Sequence, residues 1–205
     1  MNLPAPKLEK SSRPAAALHD RAMDNLRYIR ETMERSASFT HVSGLGGVLM
    51  GSIALLAGAG AAWVTSSTAW LAVWLGAAAL SFGVAAWAMA RKSHAEGVSL
   101  LSGPGRRFAW NMIPPLLAGG ILTLGLVRAG LYDLLPPTWL LLYGAGIVTG
   151  GSYSVRPIPL MGVGFMLAGV LALVSPPSWG DAYMVGAFGG LHIVFGIVIW
   201  RKHGG

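Results

Sequence analysis

His192 is the one ionisable side chain deep inside a long apolar stretch, Gly189-Gly-Leu-His192-Ile-Val-Phe-Gly196. An imidazole held away from water can accept, donate or relay a proton, and an ionisable residue at membrane depth is by default a candidate for function. With Thr123, Thr149 and Tyr143, the polar side chains expected at similar depth, it forms a candidate intramembrane polar site. The alternative is a neutral ring, hydrogen-bonded to a carbonyl or to one of those three, acting as a satisfied buried histidine. Haem ligation by two histidines needs a second one at that depth, but His19, His41, His94 and His203 all fall in polar segments. Zinc fails for the same reason and for want of acids. No metal or cofactor is expected. Nor is a catalytic site: Glu96, Asp133 and Asp181 lie in connections, and no serine has a histidine and an acid at one depth. The lack of carboxylates within the apolar runs also argues against a proton-coupled pump. With no cysteine in the chain, disulfides, thiolate metal sites and cysteine nucleophiles are excluded.

The elements that must position these residues are membrane helices. The chain has 205 residues, of which 54% are hydrophobic and 11% charged, against about 25% charged in soluble domains. Apolar runs separated by breaks predict six spans at 44–64, 69–90, 114–131, 138–155, 159–175 and 182–200, each long enough for a hydrocarbon core of about 30 Å. A soluble helical protein would need polar faces on these runs, and 69–90 and 182–200 offer none. A cleaved leader is not expected, because the first apolar run starts some 43 residues in. Of the 15 lysines and arginines, only Arg128 falls on the far side of this topology. By the positive-inside rule both termini are cytoplasmic. The net charge of +7 is thus a topology signal, and nucleic acid is not an expected partner, since no basic stripe with interleaved aromatics exists. The lipid bilayer is the expected partner, joined by a membrane protein or a second copy of the chain.

Residues 1–12 read as a disordered tail and 13–40 as an amphipathic cytoplasmic helix, with Ser12 as cap and Pro14 in the first turn. Its stripe is Leu18, Ala22, Leu26, Ile29 and Met33, and its other face carries Asp24–Arg27, Arg27–Glu31, Arg30–Glu34 and Glu31–Arg35 at pairing distance. Balanced charge of this kind suits packing on protein better than adsorption to lipid.

Within 44–200 a pattern recurs three times: glycine and aliphatics, then tryptophan, then two glycines seven apart. The copies are Gly51, Trp70, Gly76 and Gly83; Gly120, Trp139, Gly144 and Gly151; Gly169, Trp179, Gly189 and Gly196. The repeat predicts three related hairpins, 44–90, 114–155 and 159–200, with these nine glycines as helix-packing residues. Trp70, Trp139 and Trp179 read as interfacial anchors at the outer turns, and Arg128 with Asp133 as a pair there. Aligning Gly120 with Gly51 sets Pro114-Pro115 at the start of span three, in a first turn that tolerates them.

Tyr28-Ile-Arg-Glu-Thr-Met-Glu-Arg-Ser36, Phe39-Thr and Gly189–Gly196 resemble a group of uncharacterised bacterial six-span proteins. That resemblance implies a bacterial cytoplasmic (inner) membrane and supplies no function. In topology the chain also resembles three-hairpin acid-resistance membrane proteins and amide or urea channels, which implies a fold only. The resulting expectation is an all-α membrane bundle acting as a non-enzymatic accessory, interaction or stress-related component. The competing expectation is a passive channel for a small neutral solute.

Overall fold

The computed structural model describes residues 21, 23–29, 32–33, 42–95, 97 and 103–203. The tail 1–12, the helix start at Ser12 and Pro14, and the side chains of Arg30, Glu31, Glu34 and Arg35 lie outside the described residues. The chain forms two compact units, 1–37 and 38–205. In the first, the described residues are helical. Arg27 and Asp24 pair at 3.9 Å, with side chains 73% and 76% exposed, so that pair contributes little. Leu26, Ile29 and Met33 of the apolar stripe are exposed, as are Met23 and Tyr28.

Among its described residues the second unit consists of helices joined by short connections, with no strand. Its elements are α1 (Gly44–Ala61), α2 (Ser67–Ala95), α3 (Gly103–Arg128), α4 (Leu135–Gly151) and α5 (Pro157–Val174). The last helix, α6, runs through Gly180–Met184, a π-helical segment Val185–Leu191, and His192–His203. Five segments are long and apolar enough to cross a membrane: Gly44–Ala61, Ser67–Ala95, Gly105–Arg128, Pro157–Val174 and Pro177–Lys202. The segment read from sequence as a span at 138–155 is α4, whose 17 residues make about 26 Å at 1.5 Å per residue.

Local chemistry sets the ends. Ser43 caps α1, its hydroxyl accepting from Gly46 N–H at 3.1 Å. Pro136 and Pro137 open α4, and Pro157 opens α5, where a missing N–H is harmless. Gly130, at φ +73°, ends α3. Leu131 N–H bonds Leu126 O at 2.9 Å and Gly130 N–H bonds Val127 O at 3.1 Å, a Schellman closure that needs a left-handed residue. Two boundaries differ from the sequence reading. Helix α2 continues to Ala95, and α3 begins at Gly103, so Pro114 and Pro115 sit in the helix interior rather than in its first turn.

Helix α1 packs on α2 and α6, α4 packs on α3 and α5, and α6 rests against α4 and α5; α2 and α3 stand apart. Glycine decides which pairs come close. A Cβ on Gly51 would lie 2.7 Å from Gly189 O, and one on Gly196 would lie 2.8 Å from Val48 N. On the other pair, a Cβ on Gly144 would lie 2.8 Å from Gly162 O, and one on Gly169 would lie 2.9 Å from Leu141 N. Gly151 is equally tight against Pro159, and Gly189 against Leu55. Gly47 and Gly162, which the repeat did not single out, sit at the same crossings. Gly76, Gly83 and Gly120 differ from their expected packing role: nothing lies within 4 Å of a Cβ built on any of them. Gly120 lines the open space between α2 and α3, and Gly76 and Gly83 lie on an exposed face of α2 that the cavity does not include.

Two sets of variants separate these glycines. Gly144→Leu and Gly51→Leu force backbones apart and should cost about 1–3 kcal/mol, read as a lower unfolding midpoint in detergent. Gly76→Leu and Gly83→Leu should stay within about 0.5 kcal/mol of wild type. A Gly83→Leu chain as unstable as Gly144→Leu would contradict the open geometry.

Candidate functional site

His192 enters the core at the exit of the π-helical segment, on α6. Its ring is 5% exposed and both nitrogens are engaged. Nδ1 lies 2.9 Å from Phe188 O. A carbonyl only accepts, so Nδ1 carries the proton. In the neutral ring Nε2 is then an acceptor, and the Tyr143 hydroxyl, 2.8 Å away, donates to it. Phe165 and Phe188 enclose the pair. Phe165 meets Tyr143 at 4.8 Å and His192 at 5.2 Å, both edge-on, and Phe188 stacks on the imidazole at 6.2 Å. Phe165 is fully buried. The glycine-rich run Val185-Gly-Ala-Phe-Gly-Gly-Leu191 has weak helical preference and accommodates the wide turn, a feature that often marks functional sites.

Thr149 and Thr123 do not join this pair. Thr149 lies on the α3 side of α4, its hydroxyl 2.8 Å from Asn111 O, 2.9 Å from Ala145 O and 3.2 Å from Gly146 O. Asn111 O is the carbonyl four residues before Pro115, whose ring nitrogen has no hydrogen to give it. Thr149 therefore repairs, from the neighbouring helix, the backbone bond that the interior proline removes. Thr123 donates to Gly119 O at 2.7 Å and accepts from Trp139 Nε1–H at 2.8 Å. The four candidate polar residues thus serve three separate places: His192 with Tyr143 in the core, Thr149 between α3 and α4, and Thr123 beside Trp139.

The tryptophans also do more than anchor. Trp70 and Trp139 stack at 5.7 Å with an 11° interplanar angle, joining α2 to α4. Trp70 Nε1–H donates to Asp181 Oδ1 at 2.8 Å, which ties α2 to α6. Trp179 remains 58% exposed, as an interfacial residue would be. Arg128 and Asp133 form no ion pair; Arg27–Asp24 is the only one among the described residues.

Between α2 and α3 lies a cavity of about 400 Å³, within the roughly 300–1,000 Å³ of small-ligand sites. Its walls include Ala78 and Ala85 of α2, Leu116 and Gly120 of α3, and Ala54 of α1. The Tyr143–His192 pair lies along its inner wall and the Thr123–Trp139 pair near Trp74. Sequence reasoning missed this feature and the π-helical segment. The small residues of α2 facing it, Ala77, Ala78, Ser81, Ala85 and Ala88, recur at helical spacing, and that was the available signal.

Two measurements check these assignments. Thr149→Val should cost about 1–2 kcal/mol, and much of that loss should vanish when Pro115→Ala restores an N–H for Asn111 O; equal losses in both backgrounds would refute the repair. Nitrogen-15 spectra of His192 should report the Nδ1–H tautomer, and Tyr143→Phe should destabilise by about 1–3 kcal/mol. An Nε2–H tautomer would contradict the hydrogen-bond pattern.

Compared with known proteins, the chain matches no protein-family model, no curated protein and no solved structure.

Proposed function

We propose that this chain is a non-enzymatic accessory component of a bacterial cytoplasmic membrane, which works by holding another membrane molecule rather than by transforming one. The observation that carries this reading is the apolar cavity open between α2 and α3. It gives the bundle a concave, mostly apolar surface, and the polar side chains His192, Tyr143 and Thr123 along it are bonded to protein atoms. In this reading the protein crosses the bilayer six times, as three hairpins. Helix α4 is the sixth crossing, at the lower limit of about 17–25 residues and held between α3 and α5. An even number of crossings brings both basic ends to the cytoplasmic face, in keeping with the 14 lysines and arginines assigned there from sequence. The N-terminal helix, with Leu26, Ile29 and Met33 exposed, offers a second surface for a membrane protein or a second copy.

The channel reading draws less support. A path for a neutral solute needs a succession of free donors and acceptors, whereas His192, Tyr143, Thr123 and Thr149 all bond to protein atoms. Vesicles carrying the protein should therefore swell in urea, glycerol or ammonia no faster than empty ones. Faster swelling that His192→Ala abolishes would favour the channel instead. The topology is tested by reporter tags: six crossings leave both ends accessible from the cytoplasm, and five would put them on opposite sides.

A further inference from the structure

The backbone of α6 changes register at its centre. In an α-helix each N–H meets the carbonyl four residues before it, which would bring the His192 N–H to Phe188 O. Here that N–H is turned to Gly189 O instead. The His192 ring supplies Phe188 O with a donor in its place, Nδ1–H at 2.9 Å. Tyr143, on α4, donates from its hydroxyl to Nε2 at 2.8 Å, and that bond keeps the ring proton on Nδ1. In hydrocarbon a carbonyl short of a donor has no water to turn to. The side chain at position 192 therefore does what its own main chain does in a regular helix.

A π-helical insertion such as Val185–Leu191 places one extra residue in the helix. Everything upstream is then turned by about 100° and displaced by about 1.5 Å from its regular position. Packing makes this register matter on both sides. Downstream, a Cβ on Gly196 would lie 2.8 Å from Val48 N of α1. Upstream, a Cβ on Gly58 of α1 would lie 3.6 Å from Val185 Cβ, and Asp181 accepts from Trp70 of α2 at 2.8 Å. Met184 and Phe188, in the same upstream part, line the groove. Gly186 and Gly190 have nothing within 4 Å of a built Cβ. No close approach requires them, and what they bring is backbone freedom.

We propose that His192 is a register pin for α6. Its ring N–H holds the π-helical register, and loss of that bond lets the segment close to an α-helix, with the backbone N–H at position 192 returning to Phe188 O. Counted from the downstream side, Gly186 then takes the place of Val185 against Gly58. Asp181 leaves Trp70, and the groove wall that Met184 and Phe188 form is rearranged. The buried Tyr143–His192 pair is thus a conformational device that couples α4 to the tie between α2 and α6.

The chain has no cysteine, so disulfide trapping in the detergent-purified full chain reads the register directly. The 3.6 Å between Cβ positions 58 and 185 falls in the range of about 3.5–4.5 Å that a disulfide needs. On mild oxidation Gly58→Cys with Val185→Cys should crosslink several-fold faster than Gly58→Cys with Gly186→Cys. Adding His192→Ala should reverse that preference. His192→Phe, which keeps a ring without the N–H, should reverse it too and covers the case in which His192→Ala does not fold. His192→Thr, whose hydroxyl can bond the carbonyl four residues back, should restore the original preference. Tyr143→Phe, which leaves Nδ1–H in place, should keep it. A preference for 185 that survives both His192→Ala and His192→Phe would overturn the pin. So would a reversal that His192→Thr does not correct, or one that Tyr143→Phe produces equally, because lost packing would then be the cause.

Discussion

Helices in lipid have no hydrophobic drive to associate, so they depend on how closely their surfaces meet. In this chain that constraint is met at two crossings, α1 with α6 and α4 with α5. Both are made by glycines on either side, Gly47 and Gly51 against Gly189 and Gly196, and Gly144 against Gly162. The other helices attach to these pairs, α2 to α1 and α3 to α4. The gap between α2 and α3 follows directly. Along its length each packs mainly on one partner, and α2 is tied to α4 and α6 only at its Trp70 end.

The same solvent explains where the polar side chains go. No water satisfies backbone groups in hydrocarbon, so hydroxyls and rings complete the main chain. Thr149 serves the carbonyl that Pro115 leaves free, His192 serves Phe188 O, and Thr123 serves Gly119 O before receiving Trp139. Residues that look like a polar pathway in sequence are, in three dimensions, bonds between neighbouring helices.

The helical class and five apolar segments long enough to cross a membrane were legible because they depend on composition and short-range spacing. Which glycine has a partner was not legible. Gly76 and Gly83 have the same spacing as Gly144 and Gly151, yet only the latter two meet a neighbouring backbone. Spacing records which residues share a helix face and nothing about what faces them. Pro114-Pro115 illustrates a second limit. Aligning Gly120 with Gly51 fixes a register, but the start of a helix depends on the residues upstream, which lie outside the apolar run that begins at 114. The interior prolines persist because Thr149, 34 residues after Pro115, answers for one of them, a correspondence no local window contains. The π-helical segment is similar. Its glycines permit a wide turn without requiring one, and the close contacts of Gly189 and Gly196 with α1 lie on either side of its exit.

The tryptophan cluster bears on how the groove could be reached. The stack of Trp70 on Trp139, together with the Trp70–Asp181 bond, joins α2, α4 and α6 at the Trp74 end. That end is therefore tied across the bundle, while α2 and α3 stay apart along their length. A molecule arriving from water at the tied end would have to break an indole stack and a charged hydrogen bond. One arriving sideways from the bilayer meets mostly apolar side chains, among them Ala78, Phe82 and Leu116, and the open Gly120. Access from lipid selects for molecules already dissolved in it. Where the groove opens, more than any polar group along it, sets the class of molecule that fits it.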